Sequence, residues 1–199
     1  MALVSLDRDT SVFPLSHSYG AIYTRWGRKT CPGNGTELAY TGIAGGGEHL
    51  QRGAASEYIC LPKDPNLITN SKIQNPYGEA SYLYGAEYED NVFGPKLLQN
   101  DVPCAVCYTP HQSVILMIPG KTTCYGGWKP EYFGKLAGGS NTQPAASQFV
   151  CLDSHPETMY NGIANKNGKL FYAVKARCGS LPCPPYTNNA LMTCVVCSK

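Results

Sequence analysis

The chain has 199 residues, a formal net charge of +2 at pH 7 and only 15% charged residues. Because this near-neutral balance contains no basic stripe, nucleic acid is not expected as a partner. No apolar run reaches the roughly 18 residues of a membrane-spanning helix, so no transmembrane segment is predicted. The first residues lack the apolar core of a signal peptide, and a secreted protein would therefore be seen here in a mature or trimmed form.

The predicted elements are strands separated by long loops. Residues 1–19 show no clear period and are predicted to form an N-terminal arm. Strands are predicted where Tyr, Val and Ile are concentrated, at residues 21–26, 38–40, 58–61, 82–88, 102–107, 114–118, 131–133, 149–152, 170–176 and 192–197. No segment keeps a helical period, and the 21 glycines and 15 prolines favour turns. The sequence therefore predicts a mostly β fold with little helix.

Two stretches of the chain, 27–65 and 120–156, repeat the same order of residues. Four cysteines of the first half recur in the second at offsets of 93, 91, 90 and 90 residues, with Ala-Gly-Gly and Ala-Ala-Ser between them in both halves. This spacing predicts an internal duplication, with repeat 1 at 20–107 and repeat 2 at 108–199, packed as one compact unit. Residues kept in both repeats are interpreted as architecture, and residues present in only one repeat are candidates for a site.

The cysteines are even in number and duplicated, which is typical of a disulfide framework in a secreted, extracellular protein. Each repeat ends on a C-x-x-C motif, a pattern that also occurs in zinc sites and redox pairs. Here the neighbouring residues are typical of strands, and in an extended strand the two cysteines lie about 10 Å apart on opposite faces. Each cysteine therefore needs a partner elsewhere. The economical pairs, in an order that the sequence leaves open, are Cys104 and Cys107 with Cys31 and Cys60, Cys194 and Cys197 with Cys124 and Cys151, and Cys178 with Cys183.

Five segments carry a resemblance to a known family, namely residues 23–32, 101–107, 167–172, 176–186 and 194–197. Together they resemble the C-terminal non-collagenous domain of the short-chain collagen C4-like proteins of sponges, cnidarians and molluscs, over about residues 20–199. The chain contains no Gly-x-y collagen tract, so a role as a collagen trimerisation head does not follow. The domain is also similar to a sea-anemone galactose-binding lectin. That similarity implies calcium-dependent recognition of galactose-type sugars.

The best candidate for a calcium site is the acidic segment around Glu87, Glu89 and Asp90, with Asp101 a few residues further on. Calcium takes six to eight oxygen ligands, so carboxylates and amides must crowd together. Asp90 and Asn91 are also candidates for contacting sugar. The corresponding segment of repeat 2, residues 174–177, carries Lys and Arg instead, so only repeat 1 is expected to hold a cation there. The alternative interpretation is a solvated acidic turn.

A second candidate is the loop that contains Asp153, Glu157 and Asn161. Asp153 and Glu157 are candidate metal ligands, and Asp153 and Asn161 are candidate sugar contacts. Trp128 has no aromatic counterpart in repeat 1, so it is a candidate platform for the apolar face of a sugar ring. The alternatives are a proline-containing surface turn for the loop and a core position for the tryptophan.

No pattern of catalytic residues is present, since the four histidines have no motif-like partners. The sequence therefore predicts no enzyme but an extracellular, calcium-dependent lectin that binds glycans or glycoproteins. The alternative function is a structural or self-assembly module of the extracellular matrix, with tyrosine-rich strands at subunit interfaces. Both functions predict a homo-oligomer. The sequon at Asn34 agrees with an extracellular protein.

Overall fold

The computed structural model describes residues 19–33, 35–68, 80–160, 162 and 164–199. The predicted arm therefore lies outside the described residues except for Tyr19, and so does the sequon residue Asn34. The described residues contain ten strands and no α-helix. The predicted mostly β fold with little helix is confirmed. No described helix has the length and apolar character needed to cross a membrane.

The strands are short and are connected by long loops, with one 3₁₀ turn at Asn91–Phe93 between the fourth strand and the fifth. In chain order they are β1 Gly20–Trp26, β2 Glu37–Gly46, β3 Tyr58–Pro62, β4 Tyr84–Tyr88, β5 Pro103–Pro110, β6 Ile115–Pro119, β7 Lys129–Gly138, β8 Val150–Asp153, β9 Lys169–Ala173 and β10 Thr193–Ser198.

The two longest strands, β2 and β7, extend well beyond the predicted segments 38–40 and 131–133. Their glycines suppress the strand signal, since glycine has low β propensity. The structure gives a steric reason for two of them. A Cβ atom on Gly42 would lie 2.1 Å from the Leu61 carbonyl oxygen, and one on Gly134 would lie 1.7 Å from the Leu152 carbonyl oxygen. These glycines therefore permit the close approach of β3 to β2 and of β8 to β7.

Corresponding strands in the two halves of the chain make the same pairings. β1 and β2 flank β5, and β2 also pairs with β3 and β4. In the second half β6 and β7 flank β10, and β7 also pairs with β8 and β9. Two parallel pairings, β1 with β8 and β4 with β9, join the halves into one sheet. This correspondence agrees with the predicted duplication, which stays an interpretation of the sequence.

The disulfide framework is confirmed, and the structure resolves the order of its pairs. The bonds are Cys31–Cys107, Cys60–Cys104, Cys124–Cys197, Cys151–Cys194 and Cys178–Cys183. No cysteine is free, so neither C-x-x-C motif forms a zinc site or a redox pair. As the strand geometry predicts, Cys104 packs in one core cluster and Cys107 in the other.

The core has two clusters on the two sides of the central strands. The first is aromatic: Phe171 is fully buried and its ring lies 4.3 Å from that of Tyr58 and 6.3 Å from that of Trp26. The second contains Tyr23 and Tyr132, whose rings stack with centroids 6.1 Å apart. Trp26 is therefore a packing residue, as its position in a predicted strand indicates.

A buried carboxylate, Glu131 of β7, is bonded to side chains of β1 and β10 beside the second cluster. Its oxygens accept hydrogen bonds from Ser198 Oγ at 2.6 Å and Tyr23 OH at 3.0 Å, and Lys129 Nζ lies 3.2 Å away. Burial alone would raise the pKa of Glu131, but these donors outweigh burial and lower it. Since a satisfied buried charge stabilises the fold, Glu131 is structural.

Candidate functional site

An open cleft of about 710 Å³ lies between the connection from β7 to β8 and the segment that follows β9. Both halves of the chain contribute to it, since Asp90 belongs to the first half and the rest of its lining to the second. The lining residues are Asp90, Gly139, Ser140, Asn141, Gln143, Ala145, Ala146, Ser147, Phe149, Tyr172, Ala173, Val174, Lys175, Arg177 and Asn189. We call this feature the polar cleft.

One wall of the polar cleft is the loop 139–149. Backbone hydrogen bonds to the first half of the chain hold this loop in place. The Ala145 N–H donates to the His49 carbonyl at 3.1 Å, and Gln148 N–H donates to the Ser56 carbonyl at 3.1 Å. Lys169, whose side chain is buried, donates through Nζ to the Ser56 and Ala146 carbonyls, both at 3.0 Å. The wall is therefore fixed before any ligand binds.

The opposite wall is the extended segment 172–177. The Val174 N–H donates to the Leu136 carbonyl at 3.0 Å, and Ala176 N–H donates to the Ala190 carbonyl at 2.9 Å. Ala176 is buried, and its neighbours Lys175 and Arg177 are exposed. Because side chains alternate along an extended segment, the two basic side chains project on the same side.

The polar cleft combines hydrogen-bonding side chains with exposed aromatic surface. Ser140, Asn141 and Gln143 offer hydroxyl and amide groups that both donate and accept. Phe149 is 60% exposed, and Tyr172 is half-buried. Burial is the main cause that raises the pKa of Tyr172, and the charges of Glu89 and Asp90 raise it further. A hydrogen bond with Gln143 opposes that rise. The Tyr172 hydroxyl is therefore neutral at physiological pH and available to bind a polar ligand.

Of the predicted sugar contacts that belong to the described residues, Asp90 alone lines the polar cleft. Its Oδ1 accepts from the Val92 N–H at 2.9 Å, which caps the 3₁₀ turn, and its Oδ2 accepts from the Ala173 N–H at 3.4 Å. These bonds fix the carboxylate between β4 and β9. Asn91, the next residue, is exposed in the turn and does not line the polar cleft.

Two of the predicted metal ligands lie just before Asp90, and each has a carboxylate oxygen without a partner among the described residues. Glu87 is 1% exposed, and while its Oε1 accepts from the Lys166 N–H at 2.8 Å, its buried Oε2 is unsatisfied. Glu89 Oε1 is also buried and unsatisfied. Burial and then the charge of Glu87 raise the pKa of Glu89, and His49 opposes the rise. Because the negative charge of Glu87 acts on Glu89, a cation beside these oxygens would be stabilised.

The fourth predicted ligand of this segment, Asp101, lies opposite Glu87 in an isolated antiparallel bridge. Burial raises the pKa of Asp101, and the nearby Lys166 opposes this. No group of three or more His, Cys, Asp and Glu side chains suited to a metal ion occurs in the described part of the chain. Any cation at Glu87 and Glu89 would therefore take its remaining ligands from backbone carbonyls or water.

In the second candidate loop, Asp153 and Glu157 form ion pairs and do not line the polar cleft. Asp153 is 3% exposed and pairs with Arg25, with 2.7 Å between Oδ2 and Nε. Glu157 pairs with Arg28 at 3.3 Å, and its other oxygen accepts from the Lys29 N–H at 2.9 Å. These carboxylates join the loop to β1 and the turn after it.

The remaining candidates lie apart from the polar cleft. Trp128 is half-buried and outside both core clusters, with Lys199 Nζ 5.8 Å from its ring centroid. It does not line the polar cleft. Asn161 lies outside the described residues. The predicted sugar and metal residues therefore occupy at least three separate places.

Most of the polar cleft is not predicted by the sequence. Gly139 and the segment 145–147 occur in both halves, which indicates architecture, yet they form a wall of the cleft. The replacement of acidic residues by Lys175 and Arg177 in the second half was a usable signal, since it marks a difference between the halves. Phe149 and Asn189 carry no pattern that distinguishes them from other loop and strand residues.

Comparison with protein-family models gave no match, and no curated protein matched the chain. The resemblance to the short-chain collagen domain therefore depends on the sequence segments alone.

Proposed function

We propose that this protein is an extracellular carbohydrate-binding protein, a lectin, and that the polar cleft is its sugar site. The observation that carries the proposal is that one open cleft contains amide and hydroxyl groups together with the exposed ring of Phe149 and the half-buried ring of Tyr172. A sugar presents hydroxyls at its edge and an apolar C–H face, and such a lining complements both. Asp90 adds an acceptor for a hydroxyl pair.

The extracellular location is supported by the disulfides. Five disulfides join all ten cysteines. Disulfides form and persist in oxidising compartments and are rare in the cytosol. The preference for galactose-type sugars follows from the sequence resemblance, and glycans or glycoproteins would be the partners.

The calcium dependence is supported by the glutamate pair. Glu87 Oε2 and Glu89 Oε1 are buried without a hydrogen-bond partner among the described residues, and carboxylate oxygens are the ligands that a hard cation prefers. The pair precedes Asp90 on the same segment. A calcium ion there would hold Asp90 in place at the polar cleft. Removal of the calcium ion would therefore weaken sugar binding indirectly.

The sugar site is tested by removing an aromatic face from the polar cleft. We expect Phe149→Ala to weaken binding to a galactose-bearing glycan by about tenfold, because stacking of an aromatic ring on a sugar face contributes about 1 kcal/mol or more. Binding is measured by glycan array and by calorimetry, with calcium and with excess chelator. Phe133→Ala is the matched control, since Phe133 is 47% exposed on β7 and does not line the polar cleft.

Equal loss of affinity in Phe149→Ala and Phe133→Ala would argue against the polar cleft as the site. Failure of the unmodified protein to bind any sugar on a broad array would reject the lectin proposal. Binding that persists unchanged in chelator would keep the lectin and remove calcium from it.

The cation is tested without any sugar. We expect titration of the protein with calcium chloride to release heat for one site, and Glu87→Gln to lower the calcium affinity at least tenfold, because one anionic ligand is lost. Glu37→Gln is the control, since Glu37 is exposed at the start of β2. Near-ultraviolet circular dichroism checks that the variants are folded. A protein that takes up no calcium, or a Glu87→Gln variant that takes it up unchanged, contradicts the proposal.

A second candidate function, a matrix or self-assembly module, is favoured by exposed apolar side chains on the strands. Ile22 is 64% exposed, Phe133 47% and Leu116 41%. Apolar surface of this kind occurs at interfaces between subunits. Analytical ultracentrifugation distinguishes the two functions, because assembly that responds to neither chelator nor sugar would favour the module.

A further inference from the structure

Two basic side chains of the polar cleft have no acidic partner. Lys175 and Arg177 are exposed and line the cleft, and neither makes an ion pair with any described residue. Among the described residues, the carboxylate of Asp90 is the only one in the lining, and its oxygens already accept from the Val92 and Ala173 N–H groups. The lining therefore carries an excess of positive charge.

Arg177 is held in a defined position, unlike a free surface arginine. Its Nη1 donates to the Asn189 side-chain oxygen. The next residue, Cys178, donates through its N–H to Asn188 Oδ1 at 3.2 Å and is fixed by its disulfide to Cys183. Since Asn189 also lines the cleft, this contact holds the guanidinium at the cleft, and its other N–H groups make no hydrogen bond with a described residue.

The charge is specific to one half of the chain. In the sequence alignment of the two halves, the segment with Lys175 and Arg177 corresponds to the acidic segment that follows β4. A duplicated scaffold does not require this change of sign, since both segments are extended. The change from acidic to basic residues therefore indicates a function of the second half that the first half does not share.

We propose that the polar cleft selects acidic glycans, sugars that carry sulfate or carboxylate groups, and that Lys175 and Arg177 bind the anionic substituent. This inference rests on the proposed lectin function and names the ligand class of the same site. Arginine binds sulfate and carboxylate through two parallel hydrogen bonds, and lysine adds a second charge two residues away. The amides and Phe149 then bind the neutral part of the same sugar.

The test compares one sugar in two forms, a neutral galactoside and the same galactoside bearing sulfate. We expect the unmodified protein to bind the sulfated form at least tenfold more tightly at low salt, and added sodium chloride to reduce that preference. The double variant Lys175→Gln/Arg177→Gln should lose the preference, so that the ratio of the affinities for the sulfated and the neutral form falls about tenfold. Both replaced side chains are exposed, so the variant is expected to fold, and near-ultraviolet circular dichroism checks this.

The matched control is Arg52→Gln/Lys63→Gln, which removes the same charge from exposed residues outside the cleft and should keep the preference. Equal binding of the neutral and sulfated forms by the unmodified protein would overturn the inference and leave the lectin proposal intact. Binding of neither form would overturn both. Competition by inorganic sulfate at the affinity of the sulfated sugar would show a site for free anions only and would also overturn the inference.

Discussion

Replacing Cys151 and Cys194 by alanine is expected to lower the free energy of unfolding by about 4 kcal/mol. The bond joins residues 43 positions apart, and in the chain-entropy model a loop of that length gives about this value. Both cysteines are buried, at 2% and 0% exposure, so the lost sulfur atoms also remove packing from the second core cluster. Urea unfolding followed by the fluorescence of buried Trp26 gives the measurement.

The matched control removes a short disulfide in the same way. Cys178 and Cys183 are 5 positions apart and both are exposed, so the same model gives about 2 kcal/mol for their replacement by alanine. Mass spectrometry of each variant verifies that the other four bonds form. A loss as large for the short loop as for the long one would contradict loop closure as the source of stability.

The sequence predicts that the cysteines form disulfides, but it does not predict which cysteines pair. Strand residues around each C-x-x-C imply that Cys104 and Cys107 project to opposite faces, and the structure places them in different core clusters. Either could still bond Cys31 or Cys60, because both are distant in sequence. The choice depends on where β2 and β3 pack: β3 pairs with β2, which brings Cys60 beside Gly42 and so to Cys104. Such pairing is a property of the whole fold.

The polar cleft was less predictable for the same reason. Asp90 was found because acidic residues cluster near it, but the opposite side of the cleft comes from residues about 50 to 100 positions away. The parallel pairing of β4 with β9 brings the two together. Nothing in the local sequence of either strand specifies that pairing, so side chains such as Phe149 and Asn189 gave no signal. Local composition therefore predicts the edge of the cleft at Asp90, while the other lining residues are brought there by the sheet topology.

Asp153→Ala is expected to destabilise the fold by about 3 to 5 kcal/mol, the usual cost of removing one partner of a buried ion pair. Arg25 would keep its bond to the Thr30 carbonyl, at 2.9 Å, and its contact with the Tyr132 ring. It would lose the carboxylate at 2.7 Å while its side chain stays only 14% exposed. The His155 N–H would also lose its acceptor. Urea unfolding again measures the loss.

The control is Asp64→Ala, which removes an exposed aspartate of the first half and should change stability by less than about 0.5 kcal/mol. Arg25→Leu/Asp153→Leu should recover much of the loss, because removing both charges leaves none buried and unpaired. The same variants separate structure from ligand binding. Folded Asp153→Ala should bind sugar as the unmodified protein does, since Asp153 pairs with β1 and does not line the polar cleft. Loss of sugar or calcium binding without loss of stability would instead assign Asp153 to the site, as the sequence had predicted.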